Sequence, residues 1–222
     1  MCVMIPTIYS TDKQINAIML PMTEKTYILG ADPGKKGAIV LLSASYNPAC
    51  IERDDIILFP TPTTKSNNID VVAMNKFIRT YSHTIVMYCM EKVHAFGVGK
   101  ASAQATFGLG HAVGTLQTLL KLFSSENSTT PLLTVTPANW QKYVWKQNHI
   151  VYEKRDTLEG KSKKDTKATS LNAAHSIFPA VSFVPSKRAT KEHDGCVDAA
   201  LIAFYGLLCY RGAICPDSEA YL

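Results

Sequence analysis

None of the six cysteines in this 222-residue chain stands in a C-x-x-C or cysteine–histidine ligand spacing. That argues against a zinc site. Cys2, Cys50, Cys89, Cys196, Cys209 and Cys215 are scattered, several within apolar runs where a free thiol behaves as a small hydrophobe. Reduced, structural cysteines are therefore expected. The chain has no G-x-x-x-x-G-K-S/T loop to cradle phosphates and no Ser/His/Asp set for covalent catalysis. No run reaches the roughly 18 apolar residues that span a membrane. The first 25 residues show neither a basic start nor a sustained apolar stretch, and no arginine precedes Arg53. Neither a signal peptide nor an organelle transit peptide is expected. Internal repeats and low-complexity tracts are also absent.

What is present reads as a globular chain, 46% hydrophobic and 18% charged. The length suits one domain with a real core. Residues 26–222 are expected to form it, behind a poorly ordered N-terminal extension of residues 1–25. Net charge is +5, but residues 140–191 hold eleven Lys/Arg against four Asp/Glu. A local excess of that kind suits a polyanion, although solvated surface lysines explain it as well.

The stretch Tyr27-Ile28-Leu29-Gly30-Ala31-Asp32-Pro33-Gly34-Lys35-Lys36-Gly37-Ala38-Ile39-Val40-Leu41 reads as two apolar strands around a tight turn. Pro33-Gly34 predicts the central residues of a type II turn, which holds Asp32 at the rim of a sheet. Residues 55–60 form a third strand, completing an antiparallel meander. A helix is predicted over 69–81 with Asn68 as its cap, and a doubly buried strand over 84–91 that stops at Glu91. A long helix over about 101–123 carries Ala101, Ala105, Gly108 and Ala112 on one stripe, suited to close helix packing within the fold or across a dimer. A strand over 132–136 leads into a short helix with Thr136 and Pro137 at its start and Trp140 and Tyr143 within it. Residues 146–164 read as a mobile polar loop, followed by helices over 165–178 and 194–210. Strands in that order make a mixed α/β sheet with helices on its faces.

Three places put acids where apolar structure makes them costly. Asp32 and Glu91 each end an apolar strand; as parallel neighbours they would share one sheet edge, where open α/β sheets bind ligands. Asp194 and Asp198 are four apart, on one face at the start of the last helix. Each acid has a plain alternative: a turn residue, a strand-end charge, a helix cap. Asp198, set among Val197, Ala199, Ala200 and Leu201, is the hardest to explain without a partner. Four carboxylates drawn together repel unless cations neutralise them, and hard ions such as Mg²⁺ suit oxygen ligands and substrate phosphate.

Gly30-Ala31-Asp32-Pro33-Gly34, Glu91-Lys92-Val93-His94 and His193-Asp194-Gly195-Cys196-Val197-Asp198-Ala199-Ala200-Leu201 together resemble the RuvC family of Holliday junction resolvases, in its phage and plastid branch. Val135-Thr136-Pro137-Ala138-Asn139-Trp140 and Lys164-Asp165 before an Ala-rich helix match that branch too. The resemblance spans residues 27–210. It implies an RNase H-like fold: a three-strand antiparallel meander plus parallel strands, with helices on both faces. It also implies a homodimer that nicks four-way DNA junctions symmetrically, with two Mg²⁺ per active site and Mn²⁺ as a substitute. Asp32, Glu91, Asp194 and Asp198 would be the catalytic, metal-binding acids. His193 is an auxiliary candidate for placing water or phosphate, or a plain polar helix start. Bacterial RuvC proteins carry an aromatic three residues after the strand-end glutamate, which stacks in the open junction centre. Here that place is His94, and Phe96 is the nearby candidate for stacking.

Lys161, Lys163, Lys164 and Lys167 crowd a helix start, against the dipole, an arrangement that suits bound phosphates. Lys142, Lys146, Lys187 and Arg188 extend the track, and Lys35 and Lys92 flank the acids. Such a protein would work in the cytoplasm or wherever replicating DNA is, a phage- or virus-infected cell included, with no membrane partner. Three other readings stay open. One is an RNase H-like nuclease on other branched DNA or RNA–DNA hybrids. The second is a sugar-kinase or ATPase fold, for which the chain is short. The third is a non-catalytic junction-binding protein.

Overall fold

The first two apolar runs pair as an antiparallel hairpin, β1 (Tyr27–Asp32) and β2 (Ala38–Ser43), with Asp32 opposite Ala38. β3 (Ile56–Pro60) extends the meander along β2. The computed structural model describes residues 24–50, 52, 54–66, 68–93, 102–126, 130–153, 163–184 and 189–215. It adds β4 (Ile85–Glu91) parallel to β1, and β5 (Leu132–Val135) parallel to β4. Strand order is β3-β2-β1-β4-β5, with β2 alone running against the others. This is the mixed sheet, an antiparallel meander followed by parallel strands, that the order of the apolar runs predicts.

Successive strand residues point to opposite faces, and each face is covered by helices. Leu29, Ala31, Tyr88 and Met90 pack with Met74 and Ile78 of α1 (Val71–Tyr81) and Leu116 and Leu120 of α2 (Ala103–Glu126). Ile28, Met87 and Cys89 face the other way. They pack with Trp140 of α3 (Pro137–Val144), Ala173 of α4 (Thr166–Ile177) and Ala203 of α5 (Asp194–Tyr210). Each large aliphatic side chain so buried contributes roughly 1.5–3 kcal/mol. Among the described residues, no helix is long and apolar enough to cross a membrane.

Several local expectations are corrected. Asp70, not Asn68, caps α1, its carboxylate accepting the Ala73 N–H at 3.0 Å. The reach to the third N–H of the helix decides which residue is the cap. The Pro33-Gly34 turn is not type II, which needs a left-handed Gly34; of the described glycines, Gly212 alone has a positive φ, 67°. The chain closes one step later, the Gly37 N–H donating to the Gly34 carbonyl at 3.1 Å with Lys35 and Lys36 at the corner. The stretch expected as a polar loop holds a 3-10 turn (Gln147–His149) and a two-residue ladder of β6 (Val151–Tyr152) with β7 (Lys164–Asp165). Thr169 of α4 anchors it, its hydroxyl accepting the Val151 N–H at 3.0 Å.

Candidate active site

The strand register decides where the first two acids lie. Ala31 pairs with Met90 across parallel strands, so Asp32 and Glu91 leave the sheet side by side at its C-terminal edge. Ala31 and Met90 face the α1/α2 layer. By alternation the next residues, Asp32 and Glu91, face the α5 layer.

α5 reaches them because two glycines remove the obstacles. A Cβ on Gly30 would fall 2.2 Å from the Ala199 carbonyl oxygen, so β1 and α5 touch backbone to backbone. A Cβ on Gly195 would fall 2.2 Å from the Lys36 carbonyl oxygen, which seats the first turn of α5 on the hairpin turn. That contact sets Asp194 and Asp198 beside Asp32. His193 caps α5, its Nδ1 accepting the Cys196 N–H at 3.1 Å. An accepting Nδ1 places the proton of the neutral ring on Nε2.

The four acids are close enough for their charges to act on one another. Asp32 is pushed up to about 8, first by burial and then by the negative charges of Asp198, Glu91 and Asp194. Burial also raises Glu91, against the lowering effect of a hydrogen bond from Trp140. Asp198 is raised to about 6 by burial, opposed by a hydrogen bond from Ser170. Its Oδ1 is buried without a hydrogen-bond partner. A buried carboxylate oxygen without a donor is costly, and a cation is what it fits. Among the described residues, however, no group of three His, Cys, Asp or Glu is set as a ready cation cage. Two acids are turned to other partners. Trp140 Nε1 donates to Glu91 Oε2 at 2.8 Å, and Lys167 Nζ donates to Asp194 Oδ2 at 2.5 Å.

The raised carboxylates make a stability prediction. Between the ordinary carboxylate range and about pH 8, folded Asp32 keeps a proton that the unfolded chain has lost. Metal-free stability therefore falls as pH rises through that window. Asp32→Asn escapes this cost. Its Tm advantage in EDTA should be small near pH 4, grow up to about pH 8 and then level off. A constant Tm offset across that range, read by calorimetry, contradicts the buried-acid assignment.

The basic residues expected to meet DNA are distributed unevenly. Lys35 lines a groove of about 980 Å³ with Lys36, Phe107, His111, Lys167, Asp32 and Asp194. A second groove, of about 560 Å³ between α4 and α5, also reaches Lys167, Asp194 and Asp198. Asp194 and Lys167, which line both, thus mark where the two grooves meet. Lys92 is exposed just past β4. Lys142 lies over Tyr143, and Lys164 over the Trp145 ring at 5.1 Å. Lys146 is exposed, and Lys163 pairs with Glu153 at 3.0 Å. Exposed pairs of that kind contribute at most about 1 kcal/mol and exchange readily. His94, Phe96, Lys161, Lys187 and Arg188 lie outside the described residues. The sequence reading missed Trp140 and Ser170 as partners of the acids. Lys167, expected to meet phosphate, pairs with Asp194 in the free protein.

The chain was also compared with known proteins. No family model matches it, and no curated protein does. Solved structures do. The likeness is to RuvC resolvases. A Thermus thermophilus RuvC in complex with a Holliday junction substrate is 13% identical, covers 89% of this chain and 99% of its own, and gives a TM-score of 0.49. A second T. thermophilus RuvC structure, also 13% identical, covers 89% and 100% with a TM-score of 0.47. The yeast mitochondrial Holliday junction resolvase is 14% identical, covers 84% and 81%, and gives a TM-score of 0.35.

Proposed function

We propose that the chain is a RuvC-like endodeoxyribonuclease that resolves four-way DNA junctions by paired, symmetric, Mg²⁺-dependent hydrolysis. The observation that carries this reading is the convergence of Asp32, Glu91, Asp194 and Asp198 from β1, β4 and α5 at one sheet edge. Their mutual repulsion, and the orphaned Asp198 Oδ1, suit divalent cations held by these four side chains. Divalent ions held by these acids would supply an activated water and stabilisation of the leaving oxygen of a phosphodiester. Mn²⁺ can serve in the same oxygen-rich site.

The chain's own residues supply the rest. Lys167 holds Asp194 in the free protein and is placed to transfer to a substrate phosphate, a charge-assisted contact of the same kind. Lys35 and Lys36 hold the strand by its backbone along the larger groove, giving affinity without base preference. His193 belongs to the scaffold as a cap. Residues 26–222 act as one nuclease domain. Two copies present two acid clusters to a pseudo-twofold junction. The exposed face of α2 beyond that groove supports the pairing: a Cβ at Gly110 or Gly114 would meet nothing within 4 Å.

Purified protein with Mg²⁺ should cut four-way junctions in preference to three-way, flap and linear DNA, with paired nicks at symmetric positions. Equal cleavage of linear duplex would sink the junction reading. Preferential cleavage of RNA–DNA hybrids would move the enzyme to another RNase H-like class.

A further inference from the structure

We propose that Trp140 and Ser170 are positioning residues, each holding one active-site carboxylate by a single oxygen and leaving its other oxygen for a cation. The inference rests on the nuclease reading above and concerns the same site. Trp140 arrives at Glu91 through the fold itself. Glu91 pairs with Val135 at the end of β5, and α3 begins two residues later at Pro137, which puts Trp140 in its first turn. Its ring is buried, 1% exposed, yet its N–H is spent on Glu91 Oε2 at 2.8 Å. Ser170 is buried on α4, three residues after Lys167 and so on the same helix face. It lines the same groove as Asp198, where its hydroxyl favours the charged carboxylate, whose Oδ1 stays without a partner.

The chemistry of the donors is the point. A lysine or arginine at either place would neutralise the carboxylate and compete with the metal. An indole N–H or a hydroxyl fixes orientation while leaving the full negative charge in place. Asp194, at the exposed start of α5, has the opposite arrangement: an ammonium that a cation or phosphate must displace. Donors behind metal ligands commonly set affinity in this way.

Trp145 provides a matched control. Its ring packs edge-on against Trp140 with centroids 5.8 Å apart, and its own Nε1 is buried with no partner. Trp145→Phe therefore removes a comparable indole without touching an acid.

The test is Mn²⁺ binding to DNA-free protein by calorimetry, alongside junction cleavage. Trp140→Phe and Ser170→Ala should each weaken Mn²⁺ binding by about 10- to 100-fold. Trp145→Phe and Ser170→Thr should bind as wild type. In cleavage, kcat should fall at subsaturating Mg²⁺ with KM for the junction unchanged. Loss of Mn²⁺ affinity in Trp145→Phe equal to that in Trp140→Phe would mean a purely structural role and overturn the proposal. So would unchanged Mn²⁺ affinity in both Trp140→Phe and Ser170→Ala. Because the metal is read without DNA, failure of the wild type to cut junctions would count against the junction reading and leave this result standing.

Discussion

Asp32→Asn, or Asp198→Asn, should lower DNA nicking by roughly 10³-fold, the rate equivalent of about 4 kcal/mol. Both changes keep the side-chain shape and remove a negative charge from the cluster. The fold should not suffer, since Asp32 and Asp198 are both held at raised pKa and each lacks an ionic partner strong enough to offset its burial. Junction binding in Ca²⁺ or EDTA should survive, because the lysines proposed to hold phosphate are untouched. Gel-shift and cleavage assays on the same preparations separate the two properties. A variant that still nicks at the wild-type rate in Mg²⁺ removes that acid from the metal set.

Gly195→Ala should be nearly as damaging by a different route. Alanine is the better helix former by about 1 kcal/mol in a helix interior. Here its Cβ would lie 2.2 Å from the Lys36 carbonyl oxygen and 2.6 Å from Gly37 Cα, both backbone. Backbone cannot rotate away, so the start of α5 must lift off the hairpin turn. Overpacking of this kind costs about 1–3 kcal/mol, which for a chain of this size lowers Tm by roughly 2–12 °C. Activity should fall further than stability does, since Asp194 and Asp198 move with α5 while Asp32 stays with β1. A misplacement near 1 Å can cost about 10²-fold in rate. Thermal melts and single-turnover cleavage at a permissive temperature test both parts. Wild-type melting and cleavage together would show that the α5–turn contact does not set the site.

Much of this arrangement was legible in the residues, for a definite reason. Strand-end acids follow from runs that alternate or stay apolar until they stop, and Asp32 and Glu91 stop two of them. Asp194 and Asp198 were legible because helix spacing is local. Pairings across the fold leave no such local mark. Trp140 and Glu91 are 49 residues apart, and nothing in either segment announces that an indole will sit beneath that carboxylate. Lys167 belongs to a cluster of lysines whose charge suggested phosphate, and its pairing with Asp194 depends on how α4 meets α5. The turn after Asp32 was misread because local preference yielded to packing. A Cβ at Gly37 would fall 2.0 Å from the Asp32 carbonyl oxygen, so the corner shifted to keep that glycine in place. Asn68 and Asp70 are both good caps by type, and only the helix start discriminates between them.

The position of α5 has a consequence for synthesis. This helix packs on β1, β2 and β4 and on α3 and α4, so it closes the middle of the molecule although it comes late in the chain. A ribosome must make the sequence through Tyr210 before the α5 face of β1 can be fully covered. Contacts so distant in sequence are slow to form and leave hydrophobic strands uncovered meanwhile. Asp194 and Asp198 are still missing while β1 and β4 emerge, so the cluster of four acids is assembled only with the helix that completes the fold.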